Sequence, residues 1–197
     1  MADKVFPRPV DTTLHYCSSD TYPQGEITLG TLGSFIREYD VKPVTIHDVR
    51  GQEDRFTLDT HGFQFVHHEK TVEILKQVRS PVDPLAVADA RSFPDEDLFE
   101  VVARAADLGD NQYTTTAETQ FPVLYGKYRP GHKWYYLSDM NPNEVLFIKC
   151  YDSQDDGTTA RRCPHSAFVD PRTQDVADVR ESIELRGLVF YGNGSLD

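Results

Sequence analysis

From Gln112 to Tyr191 the chain is a succession of short extended pieces closed by polar or Pro/Gly turns, and this rhythm constrains the fold more than any other feature. The pieces read "QYTTTAETQF", "PVLYGKYRP", "HKWYYLSDM", "EVLFIKCYDS", "AFVDP" and "SIELRGLVFY". Strands this short bury their apolar sides only by stacking on one another, so many in series predict two packed sheets or a closed barrel. The first half continues the theme with "TLHYC", "EITLGTLGSFIREYD", and "VTIHDV" and "RFTL" separated by the polar turn "RGQED". Two segments break it. "EKTVEILKQV" spaces Val72, Ile74, Leu75 and Val78 as a helix does, and "PDEDLFEVVARAADL" sets acidic residues in a first turn before an apolar face. The expectation is a mainly β jelly roll with a few flanking helices.

At 197 residues, with no composition break or internal repeat, residues 1–197 are expected to form a single domain. Twenty basic against 32 acidic side chains leave a formal charge of −12, the wrong sign for phosphate backbones or anionic lipid. Nucleic acid and membranes are therefore not expected partners. The start "MADKVFPRPV" has no apolar leader core, and runs such as "EVLFIK" are too short to span a bilayer, so a cytoplasmic protein is expected. Cys17, Cys150 and Cys163 form no C-x-x-C pair and read as reduced thiols.

Chemistry concentrates in "RRCPHSAFVDP" (161–171) and "VRESIELRGLVFY" (179–191). The first places His165 beside a turn. In the second, period-2 alternation puts Ile183, Leu185 and Val189 on one face and Ser182, Glu184 and Arg186 on the other, with Arg180 at the strand entrance. Read from the residues alone, both arginines also suit ordinary ion pairs with Asp178, Glu181 or Glu184, and His165 also suits a backbone-bonded histidine at a strand start.

Four motifs carry a resemblance. Trp134-Tyr135-Tyr136, Asp139 to Leu146 ("DMNPNEVL"), Pro164 to Pro171 ("PHSAFVDP") and Arg180 to Arg186 ("RESIELR") resemble the recurrent pattern of the fungal hydroxylase/desaturase family, and "LDTHGFQFV" and "PVDPLAVAD" look familial as well. The family includes gibberellin-desaturase-like and cephalosporin-methoxylase-subunit-like proteins. The resemblance implies a double-stranded β-helix, iron(II) and 2-oxoglutarate as cofactors, and oxidation of a small apolar secondary metabolite. It implies that His165 is an iron-ligating and catalytic histidine. It further implies that Arg180, or as second choice Arg186, pairs with the cosubstrate's distal carboxylate, a group that a planar guanidinium fork matches. Tyr125, Tyr128, Tyr135, Tyr136 and Phe168 would line the substrate pocket.

The family's remaining iron ligands come from an H-x-D motif between the "HGFQFV" and "PLAVAD" regions, and this chain contains no H-x-D. An internal deletion near 76–84 is expected, where a helical segment runs straight into "SPVDP". Asp59 and His61 of "DTH" share a face if that stretch is a strand. His67 and His68 of "HHE" are adjacent rather than convergent, and Trp134 and Tyr136 read as core or pocket wall. The function expected is a hydroxylase/desaturase-like oxidoreductase. The alternatives are an iron-free relative acting as an isomerase, dehydratase, cyclase or binding subunit, and an inactive truncated product. Edges exposed by a missing block would favour a homodimer or pairing with a complete homologue.

Overall fold

The computed structural model describes residues 8–18, 27–29, 39–68, 84–105, 120–173, 182 and 184–190 of the 197-residue chain. Among the described residues ten strands carry the fold: β1 (Val10–Cys17), β2 (Ile27–Leu29), β3 (Tyr39–Asp48), β4 (Phe63–His67), β5 (Leu85–Ala88), β6 (Leu98–Ala105), β7 (Gln120–Gly126), β8 (Trp134–Tyr136), β9 (Glu144–Ile148) and β10 (His165–Ala167). They form a five-stranded sheet ordered β1-β3-β8-β5-β10, a three-stranded sheet β2-β6-β7 and the pair β4-β9. β3 runs parallel to β8 and β2 parallel to β6, while the other ladders are antiparallel.

The five-stranded sheet is covered on both faces at its β8–β5 centre, while β1, β3 and β10 keep one face exposed. Alternation along β8 sends Trp134 and Tyr136 to one side, where they join Val10, Leu14, Tyr16, Ile46, Ala86, Ala88, Phe93 and Phe168. Val87 goes to the other side with Val49, Phe63, Phe65, Leu137 and Cys163, against which Leu146 and Ile148 of β9 pack. The β4-β9 pair thus packs face to face on the five-stranded sheet, and with short helices only among the described residues this is the mainly β jelly-roll architecture expected. Trp134 and Tyr136, read from the sequence as core or pocket wall, both lie in the core. No helix among the described residues is long and apolar enough to cross a membrane.

Three local expectations are corrected. "RFTL" is not a strand: Thr57 takes extended backbone and its hydroxyl accepts from the Thr60 amide, capping the short helix α1 (Leu58–His61). Gly62 ends that helix at φ 84°, and a Cβ there would lie 2.7 Å from the Arg162 carbonyl oxygen, so both conformation and space demand glycine. "PDEDLFEVVARAADL" is not a helix: Asp95–Asp97 make one 3-10 turn, and β6 follows because it pairs with β7 over seven positions and with β2 on its other edge. In "SIELRGLVFY" the described residues have no regular structure, and Leu185, Leu188, Val189 and Phe190 are exposed. The helix expected over "EKTVEILKQV" and most of "QYTTTAETQF" lie outside the described residues.

Candidate functional site

His165 opens β10 on a firmly held backbone. The Ala88 amide donates to the Pro164 carbonyl at 2.8 Å, the Cys163 amide to Lys149 at 2.8 Å and the Phe168 amide to Pro84 at 3.1 Å. Phe168 then anchors the segment by packing edge-on against Tyr136, with centroids 5.3 Å apart. The imidazole is exposed, and its Nδ1 lies 3.0 Å from the Cys163 carbonyl oxygen. A carbonyl only accepts, so the neutral ring carries its proton on Nδ1 and presents the Nε2 lone pair outward. That tautomer suits a proton acceptor or a single metal-ligating imidazole.

Register places the surroundings. His165 stands opposite Val87, Val87 opposite Tyr135, and Tyr135 opposite His47, so these four occupy one row on one face of β10, β5, β8 and β3. The His47 and Tyr135 rings are 5.7 Å apart, and Phe56 and Phe63 wall the row at 4.9 Å and 6.0 Å from Tyr135. Burial pushes the Tyr135 phenol above its ordinary range. Tyr136 and Phe168, expected in the pocket, instead lie in the core on the opposite face.

Next to this row sits a carboxylate that the sequence reading passed over. Asp89 is 2% exposed and accepts from the Arg91 amide at 3.0 Å, from Nε at 2.9 Å and from a terminal guanidinium nitrogen at 2.7 Å. Burial raises its pKa, but the Arg91 hydrogen bonds outweigh that and hold the group below the usual carboxylate range. The signal was present in "ADAR", a carboxylate and an arginine two apart just past a strand end, where an Asx turn forms.

The other candidates are dispersed. His61 lies in α1, where residues two apart do not share a face, so Asp59 and His61 are not the convergent pair a strand would make. Its Nδ1 accepts from the Thr57 amide at 3.3 Å, and burial, helped by the Arg91 charge, lowers its pKa. His67 is exposed at the end of β4, opposite Glu144, and His68 follows it. The His132 side chain is buried, stacked on Phe93 at 3.8 Å with Nε2 3.1 Å from Asp97. Arg186 is exposed and ion-paired to Glu184 at 3.1 Å, and Arg180 lies outside the described residues. Among the described residues, no three His, Cys, Asp or Glu side chains are grouped to hold a metal ion. The three cysteines form no disulfide, and burial raises the Cys163 thiol.

A family profile described as "Oxidoreductase/YMDC permease-like domain" matches residues 31–80 and 74–190. The hydroxylase/desaturase asaB of Aspergillus flavus is 47% identical over 219 residues, covering 94% of this chain and 96% of that protein. That alignment is longer than the 197-residue chain, so asaB carries stretches with no counterpart here. The alpha-ketoglutarate-dependent dioxygenase tstK of Talaromyces stipitatus is 38% identical over 109 residues, 55% of this chain and 36% of that one. Among solved structures, the iron and alpha-ketoglutarate-dependent endoperoxidase NvfI superposes with a TM-score of 0.57 at 19% identity, covering 88% of this chain and 94% of that chain.

Proposed function

The chain belongs to the fungal hydroxylase/desaturase family of oxidoreductases, and from that premise we propose that it takes part in oxidising a small, largely apolar secondary metabolite in the cytoplasm. The metabolite contacts the exposed parts of this row, the His165 and His47 imidazoles and the half-buried Tyr135, with Phe56 as the apolar contact beside Tyr135. Val87 and Phe63 are wholly buried and support that surface from within. The observation that carries this reading is the His165 ring itself: it is held on Nδ1 by a backbone carbonyl, with Nε2 free to accept a proton from a substrate hydroxyl or an activated C–H.

The relatives' names bring iron and 2-oxoglutarate to the question. His165 suits one iron-ligand position, and Arg180 or Arg186 suits the distal carboxylate of 2-oxoglutarate. The rest of the donor set does not fit: Asp89 is already clamped by Arg91, and no described group of three donors converges. No step is therefore routed through iron on this chain's own residues.

The test is deletion of the gene in its host with comparative metabolite profiling. The expected result is accumulation of a congener two hydrogens richer or one oxygen poorer than the normal product. The wild-type gene restores the product and His165→Ala does not. An unchanged profile, or an isomer at the same oxidation level, overturns the reading.

A further inference from the structure

An iron(II) site of the facial type needs two imidazoles and a carboxylate converging on one point. All seven histidines of this chain lie within the described residues, so the supply of imidazoles can be followed to its end. On the face of His165 the next strand offers Val87, flanked at two-residue spacing by Leu85 and Asp89, and Asp89 has both oxygens engaged by Arg91. His47, in the same row, is three strands away, about 14 Å at ordinary strand spacing.

The other five are committed elsewhere. His15 stacks on Tyr39 at 5.1 Å, and His61 is wrapped by Phe56 and Phe63 with Nδ1 bonded to Thr57. His67 ends β4 in the β4-β9 pair and His68 follows it, its amide bonded to the Asn143 carbonyl, and His132 is sealed among Phe93, Tyr16 and Tyr128 beside Asp97.

We infer that this chain does not assemble a two-histidine, one-carboxylate iron centre from its own residues: His165 stands alone, and the second imidazole of any iron-dependent oxidation involving this protein comes from another polypeptide. The inference rests on the family reading above and narrows it. Two further observations bear on the shortfall: the alignment to asaB outruns the chain, so that relative carries residues with no counterpart here, and the family profile matches in two pieces that overlap at 74–80. The overlap falls between β4 and β5, which is where we place the missing block and where the family's H-x-D is expected.

The experiment uses the full purified chain, shown to unfold cooperatively, mixed anaerobically with iron(II) and 2-oxoglutarate. Bound iron is measured after gel filtration, together with the visible charge-transfer band of the iron–oxoacid chelate. The expected result is less than about one iron per ten chains and no band, with His165→Ala indistinguishable from wild type. About one iron per chain, with a band that His165→Ala abolishes, overturns the inference. A second variant replaces residues 69–83 with the corresponding block of the A. flavus relative. Gain of about one iron per chain, again dependent on His165, supports the placement of the missing donors, and a folded graft that stays iron-free overturns it. Gene deletion reports on the oxidation and iron loading reports on the ligands, so the two readings fail separately.

Discussion

The indole Nε1 of Trp134 donates to the Tyr16 hydroxyl at 2.8 Å, joining β8 to β1 across the intervening β3. Both side chains are buried, with Phe93 edge-on to the indole and Tyr128 edge-on to the phenol, and burial pushes the Tyr16 phenol up to about 12. Tyr16→Phe leaves a buried indole N–H without its acceptor and should cost about 1–3 kcal/mol in urea unfolding. Adding Trp134→Phe in the same chain should cost less than the sum of the single changes, since the two share one interaction.

Gly62 and Gly131 separate backbone conformation from crowding. Both have positive φ, at 84° and 102°, but a Cβ on Gly131 meets nothing within 4 Å whereas one on Gly62 strikes the Arg162 carbonyl at 2.7 Å. Gly131→Ala should cost about 1 kcal/mol, the strain of the left-handed region alone, and Gly62→Ala clearly more. Parallel denaturant titrations check the order. Equal losses would mean that α1 and the Arg162–Cys163 segment separate at little cost.

Acid should unfold this protein from a higher pH than its carboxylates alone dictate. Burial holds His61 and His132 below the ordinary value of 6.5, although Asp97 partly opposes this for His132. As pH falls past about 6.5, the unfolded chain takes up protons that the folded chain refuses. Stability is therefore full above that pH and declines below it, through the folded-state values of the two rings. His132→Phe, which keeps the stack on Phe93 and removes a buried Nδ1 that has no partner, should flatten part of this limb in melting curves between pH 7 and pH 5.

His165→Ala should leave the unfolding free energy within about 0.5 kcal/mol of wild type, because the ring is exposed and its one described bond is to a local carbonyl. The same change should abolish the oxidation in the host. Loss of stability together with activity would recast His165 as a structural histidine.

The sequence disclosed the strands whose local pattern agrees with their place in the fold. The alternation of "HKWYY" sorts Trp134 and Tyr136 from Tyr135 onto opposite faces, and "EVLFI" pairs along its whole length with β4. It misled where local and tertiary preferences diverge. The acidic run at Asp95–Asp97 starts a helix on paper, yet two flanking strands offer the Leu98–Ala105 backbone a ladder on each edge. Thr57 and Gly62 bracket four residues as cap and terminator, a signal easily lost inside an otherwise extended stretch. For the site, "PHSAF" pointed correctly to a histidine on a strand, but the row through Val87, Tyr135 and His47 depends on register between segments far apart in sequence, which no local pattern encodes.

β5 begins at Leu85, and Ala86, Val87 and Ala88 are wholly buried, with β8 bonded along one edge and β10 along the other. With β10 along Leu85–Val87 on one edge and β8 along Val87–Ala88 on the other, the centre of β5 has no edge left to admit a neighbour. Extra residues spliced in just ahead of it, if they spare these ladders, must loop outward and fold back over the rim. Regaining a metal would then be a matter of roofing an existing wall rather than rebuilding its masonry.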